Sequence, residues 1–533
     1  MADKPETPAA SPADAPKDAA PAGSIREGAA EVLPNAQQKR KDGRSEVFYN
    51  PAQVFNRDLS VLVLSVFARM RAVDVEDRRK KREQKAQESG KSLPLKEGPG
   101  PGLCVLEALA ATGIRSIRYA KELGAGAEGV RHIVANDLDP TAAEHIRRNL
   151  AHNGVSEGPP GEGVVEVSCA DANSHMYQRR ARGPGGRGDE AYDVIDLDPY
   201  GSVSPFIDAA VQAVADGGML CITSTDMPVL GGNNPETCFV RYGGSALKSS
   251  YVHEMALRLV LHAVSTAAAR YGREVRPLMS CSIDFYVRIF VRVFDSPARA
   301  KRLASKTGVV HQCVQCESFV VQPLGEVSEE APNDAAVKFK PARVVAPGCV
   351  CPECGGRVKL GGPFHTGPMH DVDFVKRCVE ACEEDNRVKL PGVTSWRKVT
   401  GLVTAISEEN PDLALFYRLP QLCKGLKLPP VPLRQYRGTL TSLGYKVSHF
   451  HREPEAIKTD APNAVVYDLM RLWAEENQPK NNPLPELLKK EFTLKRPIEW
   501  KTEEEVPRAS KVPKFLPNPE ANWGPKPRAR SGP

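Results

Sequence analysis

Between residues 103 and 223 the apolar positions fall in short blocks, each closed by an acidic residue or a small-residue turn. Cys104-Val105-Leu106-Glu107-Ala108 reads as a strand, and residues 114–122 read as a helix ending before Gly124. His132-Ile133-Val134-Ala135-Asn136 is a second strand, ending at Asp137, and residues 141–150 a second helix. Residues 164–169 form a third strand, ending at Asp171. Tyr192-Asp193-Val194-Ile195-Asp196-Leu197 is a fourth, ending at Asp198. A helix over 205–214 and a strand over 218–223 follow. Alternating units of this length predict a largely parallel sheet with helices on both faces. Ligands of such sheets bind beyond the carboxyl ends of the strands, where Asp137, Asp171 and Asp198 fall. Upstream, Leu59, Leu62, Val63, Val66 and Phe67 recur at helical spacing and predict a helix over 55–71. Downstream, 249–269 reads as a long helix and 280–294 as one strand completing the sheet. Residues 370–382 and 412–419 read as helices. Residues 437–450 and 458–473 read as a turn, a strand and a helix.

Length sets the domain count: 533 residues exceed what one core serves. Four regions are expected. Residues 1–43 form a disordered tail, apart from 25–33, which can fold back onto a domain. Residues 44–305 form an α/β domain with an N-terminal extension, 306–475 a C-terminal α+β domain with metal-binding cysteines, and 476–533 a Pro/Lys-rich tail. No apolar run approaches the ~20 residues of a membrane span. Residues 1–20 lack the apolar stretch of a secretory signal. A reducing compartment and no membrane partner are expected, so the 13 cysteines point to metal or packing rather than disulfides. The net charge of +6 is compatible with a nucleic-acid ligand and does not by itself select one. The run Arg78-Arg79-Lys80-Lys81-Arg82 reads as a solvated helical end, an import signal or an RNA contact.

The turn after the first strand, Leu106-Glu107-Ala108-Leu109-Ala110-Ala111-Thr112-Gly113, carries small residues that allow close backbone approach to a ligand. It has neither three dinucleotide glycines nor a Lys-Ser/Thr phosphate loop, so a non-phosphorylated adenosine cofactor fits better. Asp137 can accept two ribose hydroxyls, and Asp171 can receive the adenine amino group. A helix cap or loop salt bridge is the plainer role for either. Arg115 offers a guanidinium fork matched to a methionine carboxylate.

Asp196-Leu197-Asp198-Pro199-Tyr200-Gly201-Ser202 is the strongest local signal. An exocyclic base amine is a poor nucleophile, because its lone pair is shared with the ring. Asp198, helped by the Pro199 carbonyl, can accept its N–H groups and stabilise the positive charge that grows as nitrogen attacks. Tyr200 can stack on a base that has left its helix. The plainer reading is a Pro-Tyr-Gly turn capped by Asp198.

Cys313-x-x-Cys316 and Cys351-x-x-Cys354 can together hold one tetrahedral zinc ion, with Cys349 a spare thiol nearby. Arg434, Arg437, Lys446 and Lys458, lying among Tyr436, Tyr445 and His449, are candidate RNA contacts or a salt-laced face.

These pieces together resemble the tRNA (guanine-26-N2)-dimethyltransferase family in its eukaryotic form. The resemblance rests on Phe48-Tyr49-Asn50-Pro51, Phe55-Asn56-Arg57-Asp58-Leu59-Ser60, the segments 107–118 and 135–140, and the loop 196–202. It continues through Gly362-Pro363 with Gly367-Pro368, Lys458-Thr459-Asp460-Ala461-Pro462, and an echo at Asn522-Trp523-Gly524-Pro525. It implies a class I S-adenosylmethionine-dependent methyltransferase fold with a C-terminal α+β domain, tRNA as partner, and transfer of one or two methyl groups to the N2 amine of guanine 26. It implies Arg57, Arg115, Asp137, Asp171 and Ala172 at the cofactor, Asp198 as catalytic carboxylate, and zinc on the four cysteines. The sequence departs from the family at Gln53-Val54, where an acidic residue is common, and at Tyr200, where phenylalanine is. Two other readings stay open from the residues: an N6-adenine methyltransferase, and a tRNA-binding folding factor with an inactive methyltransferase fold. No obligate protein partner is evident. The nucleus is the expected location, with the mitochondrion second.

Overall fold

The computed structural model describes residues 24–33, 49–89, 100–180, 191–327, 337–346, 348–477, 485–495, 497–504 and 512–518. Its centre is a sheet of seven strands: β1 (Leu103–Glu107), β2 (Val130–Asp137), β3 (Val165–Cys169), β4 (Tyr192–Leu197), β5 (Val214–Ser224), β6 (Arg273–Ile283) and β7 (Tyr286–Asp295). Their order is β3-β2-β1-β4-β5-β7-β6. The first five run parallel, and β7 pairs antiparallel with both β5 and β6. Every residue of β1 and β4 is buried, as strands covered on both faces require. This is the class I methyltransferase arrangement.

The expected single strand over 280–294 is two strands. The chain reverses at Asp284, which takes a left-handed φ of 40°. No glycine or proline marks that turn; an aspartate adopts the conformation instead.

One face of the sheet is covered by α1 (Val54–Ser89), α2 (Ile114–Glu122) and α3 (Pro140–His152), the other by α4 (Ala172–Gln178), α5 (Ile207–Ala213) and the helix Val252–Ala269. Leu59, Leu62, Val63, Val66 and Phe67 of α1 are all buried. The helix runs well past residue 71, carrying the basic run on its far end, where Arg79 pairs with Glu76 at 3.0 Å.

Downstream, one small sheet joins Phe319–Pro323, Thr307–Cys313 and Val358–His365, and another joins Tyr417–Arg418, Glu453–Thr459 and Val447–Phe450. Helices Leu433–Ser442 and Asn463–Glu476 close a third core with Leu487 and Leu488. The downstream chain also reaches back: Phe374, Val375 and Cys378 of helix Val372–Ala381, and Val399, Val403 and Ile406 of Trp396–Ser407, lie in the core that α1 covers. Residues 412–419 are not the expected helix. The segment turns at Leu415, which takes a left-handed φ of 65°, runs extended through Tyr417–Arg418, and enters a helix only at Leu419. Residues 437–442, expected within a turn and strand, instead end the helix Leu433–Ser442.

Ile25–Glu27 and Ala30–Val32 form a hairpin that folds back onto α2 and α3. Ala29 N–H donates to Glu122, Glu31 N–H to Asn153 and Leu33 N–H to Asn149. Most of the Arg/Gly-rich loop 179–190, most of the Pro/Gly loop 94–102 and the 522–525 echo lie outside the described residues. Among the described residues, no helix is long and apolar enough to cross a membrane.

Candidate active site

The carboxyl ends of β2, β1 and β4 lie side by side, as their parallel pairing requires. After β1 the chain turns through Ala111 (φ 49°) and Gly113 (φ 73°) into α2. A Cβ at Gly113 would stand 2.9 Å from Ile146, so packing and φ together demand glycine. Asn136 stitches the neighbouring loops, its amide donating to the carbonyls of Ala108 and Ala170 at 3.0 Å. Asp137 accepts from Ala111 N–H at 2.8 Å and Asp139 N–H at 3.0 Å. Both oxygens are thereby aimed, and each keeps a lone pair for a hydroxyl. Asp171 caps α4, accepting from Ser174 N–H at 2.7 Å, with Ala172 buried at the helix start.

Parallel register sets Glu107 beside Asp196. Two residues on, the period of a strand brings Asp198 out on the side Asp196 faces. Arg115, on the first turn of α2, meets both: its Nη2 donates to Asp198, and Nη1 lies 3.4 Å from Asp196 and 3.1 Å from Ser60 Oγ. Glu107 stands behind it, 3.6 Å from Nε. Arg288 on β7 forks onto Asp196 at 2.9 and 2.7 Å, and Tyr119 donates to the same carboxylate at 2.9 Å. Burial works to raise the Asp196 pKa, but Arg115 and Arg288 outweigh it and hold the carboxyl below its ordinary value. Glu107 goes the other way: burial pushes it up to about 7 against the pull of Arg115. The fork of Arg115 is thus engaged by acceptors of this chain. Tyr200 projects outward, 64% exposed, and Pro199 is buried beneath it.

Arg57 lies elsewhere than composition suggests for a charge beside an apolar face. It is 7% exposed and clamped by Glu27 of the hairpin, through Nε at 2.6 Å and Nη2 at 2.5 Å, with Asn50 O at 3.2 Å. Glu27 also takes Arg118 at 2.9 Å, and Arg118 reaches Asp58 at 2.7 Å. Sequence reasoning gave no role to Glu27, Glu107, Asp196 or Arg288. The one signal for Arg288 was a charge inside the apolar run 286–294.

The two cysteine pairs converge. Cys313 and Cys354 Sγ are 3.4 Å apart, Cys316 and Cys351 Sγ 3.7 Å, and all four lie within 4.8 Å of one another. Zinc–sulfur bonds of about 2.3 Å in a tetrahedron need sulfurs about 3.8 Å apart, so the donor set fits that ion.

A second trio, His370, Glu409 and His451, is equally close, but its protons argue against a metal. Ser280 N–H donates to His370 Nδ1 at 3.2 Å and Ser282 N–H to His451 Nε2 at 2.9 Å. A neutral imidazole that accepts on one nitrogen carries its proton on the other. Those other nitrogens face Glu409, at 3.7 and 2.6 Å. Lys458 Nζ lies 3.4 Å from Glu409 and 3.3 Å from Glu254. The trio is a seat for a buried carboxylate.

That finding removes Lys458, 1% exposed, from the candidate RNA contacts. Tyr436 is fully buried and donates to Val466 O; Arg437 donates to Ala456 O at 2.6 Å, and His449 bonds Ala405 O at 3.0 Å. Arg434 reaches Glu503 O, and Lys446 pairs with Asp412 at 3.0 Å. The basic and aromatic residues of 434–458 are mostly tied into the fold.

Comparison with known proteins adds an independent line. A family model described as N2,N2-dimethylguanosine tRNA methyltransferase matches residues 28–471. A tRNA (guanine(26)-N(2))-dimethyltransferase of Mus musculus is 41% identical over 554 residues, spanning 96% of this chain and 78% of the relative. One of Drosophila melanogaster is 39% identical, spanning 91% and 84%. Among solved structures, Trm1 from Pyrococcus horikoshii in complex with S-adenosyl-L-methionine aligns with a TM-score of 0.62 at 25% identity, covering 83% of this chain and 98% of that one.

Proposed function

The chain belongs to the N2,N2-dimethylguanosine tRNA methyltransferase family, and from that premise we propose that it methylates the N2 amine of guanine 26 in tRNA, giving N2-methylguanosine and N2,N2-dimethylguanosine. S-adenosylmethionine supplies the electrophilic methyl group. The observation that carries the reading is the placement of Asp198: it follows the last residue of β4 at the carboxyl end of the sheet, paired with Arg115.

Asp198 accepts from the guanine N2 amine, drawing its lone pair toward the methyl carbon. The amine gains positive charge only as it attacks, so the carboxylate stabilises the transition state more than the ground state. Asp198 then takes the released proton. The Pro199 carbonyl is a second acceptor, and the exposed ring of Tyr200 stacks on the base. On the cofactor side, Asp137 takes the ribose hydroxyls, and Asp171 and Ala172 the adenine. Arg57 and Arg115 line the methionine end of the cofactor, each already paired with carboxylates of this chain. The aimed oxygens of Asp137 and the turn without a phosphate cradle support this assignment.

Cys313, Cys316, Cys351 and Cys354 hold a structural zinc ion in this reading. It keeps the 307–365 region together and takes no part in transfer. The nucleus remains the first expectation for location, resting on the basic run of α1. A fluorescent fusion with Lys80 and Lys81 replaced by glutamine should lose nuclear enrichment; unchanged distribution would count against it.

The direct test of activity is transfer of labelled methyl groups to unmodified tRNA carrying guanine or adenine at position 26, followed by nucleoside analysis. N2-methylated guanosines should appear from the guanine transcript alone. N6-methyladenosine, or tight binding of tRNA and cofactor without transfer, would contradict the reading.

A further inference from the structure

Asp198 is fixed on one flank by Arg115; the other flank of its loop is held by a separate set of groups. Gly201, at φ 86°, exchanges hydrogen bonds with Thr225: its N–H donates to Thr225 Oγ1, and its carbonyl accepts from Thr225 N–H, both at 2.9 Å. The same carbonyl lies 3.2 Å from Ser224 Oγ. Ser202 Oγ is 2.8 Å from the hydroxyl of Tyr242, the last residue of the helix Pro235–Tyr242. Asp226 sits behind them, 8% exposed. It accepts from Tyr242 at 2.8 and 3.0 Å, from Ser224 Oγ at 2.7 Å and from Arg241 at 3.1 Å.

Proton counting gives this chain a direction. A carboxylate only accepts, and a phenol has one proton. Tyr242 spends that proton on the carboxylate of Asp226, so its oxygen is the acceptor for Ser202, with Ser224 Oγ also 2.9 Å from it. Ser202 in turn accepts from Ser204 N–H at 3.2 Å. The loop that carries Asp198, Pro199 and Tyr200 therefore hangs from a buried carboxylate just past the carboxyl end of β5, the strand beside β4.

We propose that Tyr242 and Asp226 are positioning residues for the methyl transfer: through Ser202 and Gly201 they set the register of the 198–202 loop, and with it the alignment of the guanine amine with the methyl donor. The inference rests on the proposed guanine-N2 activity and deepens it. Alignment is a steep term, since a displacement near 1 Å can cost about 10²-fold. It bears hardest on the second transfer, where the amine already carries a methyl group and has one N–H left for Asp198.

Tyr242→Phe keeps the ring and removes the link between Ser202 and Asp226. The first transfer should slow by about tenfold. The ratio of dimethyl to monomethyl product at matched conversion should fall further, while S-adenosylmethionine affinity and the KM for tRNA change less than twofold. Ser202→Ala removes only the loop's end of the chain and should shift the product ratio the same way with the core untouched. A merely structural tyrosine would lower the melting temperature and leave the product ratio of the folded fraction unchanged. That result in both variants would overturn the proposal. Absence of any N2-methylguanosine from the wild-type enzyme would sink the proposed activity instead.

Discussion

Arg115 touches four acceptors with one guanidinium, and two of them belong to strands that are far apart in sequence. A planar fork can do this where a point charge cannot. Arg115→Lys should therefore keep the local charge yet lower kcat about 10²-fold through misplacement of Asp198; single-turnover transfer measures it. Glu107 makes a pH prediction. Its carboxyl is raised from an ordinary 4.5 to about 7 by burial, so between those values the folded state binds more protons than the unfolded chain. Stability then falls as pH rises through that window. Glu107→Gln removes the slope, and the variant should gain about 3 kcal/mol on the wild type between pH 4.5 and pH 8. Urea unfolding at both pH values checks this; a constant difference would contradict it.

At the scale of elements, the hairpin Ile25–Glu27 and Ala30–Val32 is a clasp on α1 and α2. Glu27→Ala leaves Arg57 without its carboxylate and should destabilise by about 3 kcal/mol, read as a loss of cooperative unfolding midpoint. Removing the proposed zinc with a chelator should open the strands Thr307–Cys313 and Val358–His365 to hydrogen exchange first, with cofactor affinity retained. The strands and helices of the methyltransferase sheet were mostly legible in the chain. Residues 103–223 alternate strand and helix because buried parallel strands must be apolar throughout, and Asp198 stood out because it follows such a run. The hairpin at Asp284 was not legible, since its turn uses no glycine. Nor were the ion pairs: Glu27 with Arg57, Asp196 with Arg288 and Glu254 with Lys458 join residues that only the fold brings together. The same blindness made Lys458 and Tyr436 look like RNA contacts.

For the whole molecule, the core of the catalytic sheet is completed from downstream. Phe374, Val399 and Ile406 lie with Leu62 and Phe67, while Lys458, Glu254 and Glu409 lock the joint between the two regions. A fragment ending at residue 305 should expose that face and fail to fold cooperatively, which circular dichroism and solubility would show. In the proposed function, this arrangement brings a base amine to one carboxylate opposite the cofactor. The most direct test of that claim compares Asp198→Ala with wild type for both methyl transfer to unmodified tRNA and S-adenosylmethionine binding by calorimetry. Transfer should fall at least about 10²-fold while cofactor affinity stays within threefold. Retained transfer, or loss of cofactor binding in proportion to activity, would show that Asp198 does not engage the amine.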